Sequence, residues 1–271
     1  MSSIHRYPVK SMGGEQMAAS PIGALGIAGD RRFAVRELDT GKILSAKRPA
    51  VGRILLSCAA RTEDDGSVTI NLGDGEVSSA DGGAVDARLS ALLGCRVALE
   101  SVPGAEDVYD SYWPEVEGVA LSDVNIDLPV AMATGKGTFV DYAALHIVTS
   151  ASLAHLRRLA PESVIDVARF RPNLVVDLPD DVEGFAENEW VDRTARVGTA
   201  TIKFGPAAPR CVMTTLVQPG LPEDRGVLRT LASHNRLDFS GVGNFACLGV
   251  YAEVVEPGDV SVGDTLQLLS P

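Results

Sequence analysis

Alternation of apolar and polar positions dominates the N-terminal part of the chain and predicts short strands joined by tight turns. Arg32 to Leu38 alternates and then meets Asp39-Thr40-Gly41-Lys42, the pattern of a strand entering a hairpin. Arg53 to Ala59 is largely apolar and reads as a buried strand. Asp64-Asp65-Gly66 and Gly73-Asp74-Gly75 read as turns. A helix is expected over Val85 to Leu93, with Leu89, Leu92 and Leu93 on one face and Gly94 as its stop. Cys95 to Ser101 then returns as a strand.

The second half carries more helical period. Leu153, Leu156 and Leu159 recur at i+3 behind Thr149 and Ser150, either of which can cap the helix. A second helix is expected near Asp224 to His234. Asn173 to Asp177 and Thr199 to Phe204 read as strands. Leu248 to Val255 is another, turned by Glu256-Pro257-Gly258-Asp259 so that Val260-Ser261-Val262 runs back along it. Gly263-Asp264 turns again before Thr265 to Leu269. Many short strands with few helices predict a mainly β, α+β architecture with barrel-like sheets. The acidic segment from Pro103 to Asp127 is the best boundary, dividing the chain into residues 1–102 and 103–271.

Composition narrows the function classes. Asp and Glu number 36 against 24 Lys and Arg, a formal net charge of -12. Such a balance argues against nucleic-acid and anionic-membrane partners, which need basic patches. It also makes any local basic cluster informative. No N-terminal segment has a signal-peptide pattern, and no apolar run approaches the ~18 residues of a membrane span. The four cysteines, Cys58, Cys95, Cys211 and Cys247, form no disulfide framework, so a cytoplasmic protein is expected. No zinc-type C-x-x-C pair or iron–sulfur run is present, so electrons for any redox reaction must come from another chain.

Cys211 follows Arg210 and precedes Thr214-Thr215, and a neighbouring cation favours the thiolate that attacks or ligates metal. Cys58 and Cys247 lie in apolar runs and read as buried hydrophobes; Cys95, beside Arg96, is a weaker version of the Cys211 signal. Tyr7-Pro8-Val9-Lys10-Ser11 offers an ammonium and a hydroxyl for a phosphate oxygen, or a surface lysine on an edge strand. In Gly29-Asp30-Arg31-Arg32-Phe33 one arginine is expected to point inward, the alternative being a surface pair with Asp30. In Arg169-Phe170-Arg171-Pro172-Asn173, strand alternation would put both arginines on one face, suited to an anion. His146 sits in an apolar stretch and reads as a hydrogen-bonded core histidine before a functional one. Asp141 reads either as a loop cap or as a carboxylate beside the basic pocket. Thr134-Gly135-Lys136-Gly137-Thr138 is Gly-rich but lacks Walker A spacing.

Taken in order, these motifs resemble MOSC-domain proteins preceded by the MOSC N-terminal β-barrel region. Leu145-His146-Ile147-Val148-Thr149 with Ser152-Leu153, and Gly249-Val250-Tyr251 with Pro257-Gly258 and Val262-Gly263-Asp264, complete the series. Members similar to this chain include the mitochondrial amidoxime-reducing component and its bacterial relatives. The resemblance implies a molybdopterin-type molybdenum cofactor with Cys211 as metal ligand. It implies Lys10, Ser11 and Arg31 at the pterin phosphate, and Thr149, Ser150, Arg169, Arg171 and Asn173 along the pterin. Asp141 matches an aspartate near the metal, and Arg210 stands beside the ligand cysteine. Reduction of small N-oxygenated substrates is implied, with a separate donor protein of ferredoxin or cytochrome type. No iron–sulfur cluster or pyridoxal phosphate is expected in this chain. One departure stands after Thr214-Thr215: Leu216-Val217-Gln218-Pro219-Gly220 lacks the aspartate that relatives place before the proline. A carrier that holds sulfur or the cofactor without turnover is the alternative function, and a purely structural barrel the third.

Overall fold

A computed structural model describes residues 1–112, 125–134, 137–239 and 241–270. The N-terminal part builds β1 (Ser3–Arg6), β2 (Glu15–Met17), β3 (Ala19–Gly23), β4 (Gly26–Ile27) and β5 (Ala34–Glu37). A one-turn helix α1 (Pro49–Gly52) runs into a 3-10 turn over Arg53–Ser57. Then come β6 (Ala59–Thr62), β7 (Val68–Asn71), β8 (Glu76–Ser78), α2 (Gly83–Leu93) and β9 (Val97–Glu100). β10 (Val108–Tyr112) pairs antiparallel with β11 (Asn125–Pro129). The rest is β12 (Leu145–Thr149), α3 (Ser150–Leu159), α4 (Val167–Phe170), β13 (Leu174–Val176), β14 (Thr194–Val197), β15 (Ala200–Pro209), α5 (Arg225–His234), β16 (Arg236–Asp238), β17 (Asn244–Glu256), β18 (Gly258–Ser261) and β19 (Leu266–Leu268).

The main sheet runs in the order β19-β14-β15-β17-β12-β13-β1-β2, with β16 also on β17. Among the described residues it is an open ladder rather than a closed one. Its strands pair antiparallel except β12 and β13, which are parallel with the α3 connection between them. Register stacks Ile4 on Leu174, Leu174 on Ile147 and Ile147 on Val250. All four lie in one buried cluster with Ile22, Ile27, Ile202, Phe204 and Trp190. Residues from the start of the chain thus complete a sheet built mostly from its end, and β18 joins β3 in the same way. A second core forms around Val9, Val35, Leu55, Val68, Ile70 and Leu89. The candidate site lies where the chain passes between these two cores.

Local helix signals hold. Thr149 caps α3 by accepting from the Ser152 N–H, Asp224 caps α5 through Gly226, and Gly94 ends α2 in the left-handed region. The hairpin at the Asp39 turn forms: Glu37 N donates to Lys42 O at 2.9 Å and Leu44 N to Val35 O at 2.7 Å around the Arg36–Ile43 bridge, while the other edge of β5 pairs with β9. Three expectations are corrected. Arg53–Ser57 is a 3-10 turn, not a strand; a short apolar run has no period to separate the two, and Pro49 starts the preceding helix with its fixed φ. The run after Glu256 pairs with β3 rather than folding back on β17. Arg169 ends a helical turn and Arg171 has φ 55°, so the two do not share a strand face. Gly135, Lys136 and residues 113–124 of the acidic segment lie outside the described residues.

Candidate functional site

Three extended segments from distant parts of the chain lie side by side. Arg31 N donates to Tyr7 O at 2.8 Å, Phe33 N to Pro8 O at 2.9 Å, and Lys10 N to Phe33 O at 2.9 Å. Phe139 N then donates to Arg31 O at 2.7 Å. The backbone bends sharply here. Ser11, Arg31 and Arg171 have φ of 68°, 45° and 55°, left-handed values that cost a non-glycine residue about 1 kcal/mol or more each. Such outliers gather where side chains must be aimed at one point, and these three aim inward.

What they aim is positive charge. Lys10 is buried, donates from Nζ to Phe139 O at 2.9 Å, and pairs with Asp141. Lys47 Nζ lies 2.9 Å from the other oxygen of Asp141 and 3.2 Å from Tyr109 Oη. Both ammoniums also sit over the Tyr109 ring, at 4.4 and 4.8 Å. The Arg31 and Arg171 guanidiniums lie over the Tyr7 ring at 4.5 and 4.3 Å. Arg31 pairs with the buried Asp30 at 2.6 Å and donates to Arg171 O. Arg171 donates to Met12 O. Including Arg210, five cations face two carboxylates, Asp30 and Asp141.

The electrostatics record this excess. Burial pushes the Lys10 ammonium down to about 8 despite the opposing pull of Asp141. Burial and then the neighbouring Arg31 push Arg171 down to about 10. Burial would also lower Lys47, but Asp141, Tyr109 and Cys211 hold it well above its ordinary value. Burial opposes ionisation of Asp141, yet Lys10 and Lys47 hold its carboxyl well below the usual range. Lys47 and Cys211 therefore sit within each other's field.

Cys211 is delivered by the end of β15. Arg210 N donates to Ala246 O at 2.8 Å, and Cys211 opens the 3-10 turn Val212–Thr215 with its carbonyl accepting from Thr214. Its thiol is half-buried, whereas Cys58 and Cys247 are buried and pushed up to about 11. Arg210 Nη2 donates to Phe170 O at 2.8 Å, and Nη1 lies 3.3 Å from His146 Nε2. That ring nitrogen also faces Leu248 O at 3.1 Å. Burial, then Arg210, drives the His146 pKa well down, so the ring is neutral. A neutral ring nitrogen cannot both donate to Leu248 and accept from Arg210, so one contact goes unmade. Arg210 Nε is buried with no partner among the described residues. The guanidinium is thus short of acceptors, as an anion site requires.

The other predicted residues are engaged by the protein. Thr149 Oγ1 donates to Glu187 at 2.6 Å, and Ser150 Oγ accepts from Leu178 N at 3.0 Å. Asn173 accepts from His146 N at 3.1 Å and donates to His5 O at 3.4 Å, fixing β12 against β1. Arg169 is wholly buried and donates to the carbonyls of Val164, Thr214 and Pro222 at 2.8 to 3.1 Å. It braces the loop that follows Cys211. Arg31, not the exposed Arg32, is the inward arginine.

Sequence patterns did not mark Lys47, Tyr109 or Glu187. Lys47 had a faint signal, a basic pair ahead of a proline in Ser45-Ala46-Lys47-Arg48-Pro49. Glu187 had none: its carboxylate is buried by β12, α3 and β17, accepting from Thr149, Ser152 and Gly249 N. Two clefts, of about 530 and 800 Å³, lie by Trp190 and along Pro21–Arg32; the first is away from this cluster, and the second reaches Asp30 at its edge. No group of three His, Cys, Asp or Glu that could hold a metal occurs among the described residues. A single-thiolate ligand set is the donor chemistry on offer. No helix among the described residues is long and apolar enough to cross a membrane.

The MOSC domain matches residues 134–267, and the MOSC N-terminal beta barrel domain matches residues 1–110. No curated protein matches the chain. Among solved structures, the YuaD protein from Bacillus subtilis is 12% identical with a TM-score of 0.47, covering 100% of this chain and 94% of that one. YiiM from Escherichia coli is 18% identical with a TM-score of 0.33, covering 55% of this chain and 65% of its own. YiiM from Geobacillus stearothermophilus is 15% identical with a TM-score of 0.32, covering 47% and 55%. The chain thus spans little more than half the length of that last structure.

Proposed function

The chain belongs to the MOSC family, and from that membership we propose that it binds a molybdopterin-type molybdenum cofactor through Cys211 and reduces N-hydroxylated compounds. Electrons come from a separate donor protein. The observation that carries the reading is the convergence of Lys10, Arg31, Lys47, Arg171 and Arg210 beside one half-buried thiol. Uncompensated buried cations are costly, and a phosphate-bearing ligand relieves them. A soft thiolate suits a soft metal.

Lys10, Arg31 and Arg171 would hold the phosphate, with Ser11 Oγ, which already accepts from Ala46 N, free to donate its hydrogen. Arg210 offers the unpartnered Nε. Cys211 would ligate the metal, and molybdenum bound there supplies a two-electron reduction of an N–O bond. The overall reaction takes R–NHOH, two electrons and two protons to R–NH2 and water. Lys47 holds a proton at Nζ beside Cys211, fixed by Asp141 and Tyr109. Arg169 keeps the Cys211 loop in place, and Thr149 and Asn173 fix β12 behind the site.

The test is the molybdenum-to-protein ratio of wild type and Cys211→Ser, each purified from a cofactor-competent host. The ratio is expected to approach one in wild type and collapse in the variant. Equal ratios in the two would falsify the ligand assignment. Benzamidoxime with an artificial donor then separates roles: cofactor retention without turnover would make this a carrier.

A further inference from the structure

Beside the cationic cluster lies a patch of a different kind. Tyr142, Phe239, Phe245 and Tyr251 are all half-buried and touch one another in a chain. Tyr142 and Phe239 meet edge to face at 4.9 Å between ring centroids, and Tyr142 and Tyr251 are tilted at 5.0 Å. Phe239 reaches Phe245 at 6.3 Å and Tyr251 at 6.5 Å. The chain holds only two Trp, five Tyr and seven Phe, so four rings in one half-exposed patch is a marked concentration.

The patch is continuous with the proposed centre at both ends. Tyr142 directly follows Asp141, the carboxylate shared by Lys10 and Lys47. Tyr251 lies in the field of Arg210, Lys47, Asp141 and Cys211, and its ring is 5.9 Å from His146. Phe239 is carried on the β16–β17 hairpin, whose loop closes by Phe239 N donating to Gly243 O. The four rings leave area open to solvent next to charged groups, which is how binding walls are built.

We propose that Tyr142 and Phe239, backed by Tyr251, form a stacking wall that selects substrates whose N-oxygenated head is attached to a planar aromatic group. A flat neutral ring would lie against Phe239 and Tyr142 while its N–O head reaches toward Cys211. This rests on the reduction proposed above, but its test reads binding as well as turnover.

Benzamidoxime and acetamidoxime share the N–O head and differ in the ring. Their dissociation constants for the purified protein are measured by ligand-observed NMR, and their KM ratio wherever turnover is present. Wild type is expected to favour benzamidoxime by about tenfold, the size of a good aromatic contact with its burial. Phe239→Ala and Tyr142→Ala should each reduce that preference severalfold, while Phe239→Tyr keeps it. Circular dichroism confirms that each variant is folded. Loss of turnover with the preference intact would count against the reductase and leave the wall standing. No ring preference in wild type, through equal or undetectable binding, overturns the wall; so does a preference that both alanine variants retain.

Discussion

Lys47 Nζ lies 2.9 Å from Asp141 Oδ2 while Lys10 holds the other oxygen, so one carboxylate is shared by two ammoniums from distant parts of the chain. Removing the carboxylate leaves both cations facing each other. Asp141→Ala is expected to cost about 2 kcal/mol, below the usual figure for a buried pair because Asp141 is 34% exposed. A urea denaturation midpoint reads this, and adding Lys47→Met to Asp141→Ala should recover part of the loss.

Lys10 sets a pH dependence. Its folded value is about 8, below the ordinary 10.5, so its positive charge is lost as pH rises through 8. Sulfate, which does not titrate in this range, should bind up to about tenfold more weakly at pH 9 than at pH 7. Lys10→Met should bind weakly at both. For stability the sign reverses: between about 8 and 10.5 the folded state holds fewer protons than the unfolded chain, so this group's contribution rises with pH.

Gly249 has φ 84°, and a Cβ there would sit 2.3 Å from His146 Nε2 and 2.6 Å from Ile147 O. Gly249→Ala is expected to cost about 3 kcal/mol by clash and left-handed strain together. A thermal melt measures it. The displaced ring should also shift the His146 resonances in a proton–nitrogen spectrum.

Native-state alkylation should label Cys211 and Cys95, the half-buried thiols, and spare Cys58 and Cys247 until the protein is unfolded. Mapping by mass spectrometry decides it, and labelling of Cys247 ahead of Cys211 would contradict the placement of β17.

Arg169→Met removes a guanidinium that donates to Val164, Thr214 and Pro222 and leaves buried carbonyls short of donors. A loss of about 3 kcal/mol is expected. Cys211 should alkylate faster in the variant, since its loop loses its brace. Sulfate affinity should stay close to wild type, in contrast to Arg171→Met.

Elements governed by neighbours along the chain are legible in the sequence. Gly94 ends α2, Thr149 caps α3 and Asp224 caps α5, because a cap is a contact over two or three residues. The ordered motifs also mark Lys10, Asp141, Arg31, Arg210 and Cys211, all of which the fold brings together. Partner choice is not legible. β5 keeps its local hairpin but adds β9 on its other edge, and β18 takes β3 in place of β17, since an edge strand takes whichever edge packing presents. Arg169 and Arg171 read as one strand face and are instead a buried brace and a left-handed site residue. Lys47, Tyr109 and Glu187 gain meaning only from groups 38 to 94 residues away: Glu187 from Thr149, Tyr109 from Lys47, and Lys47 from Asp141. Short-range signals reach about one helical turn, while charge and burial act through space. The chain's own order therefore names the cysteine and most of its cations, and long-range packing chooses which of them share a field.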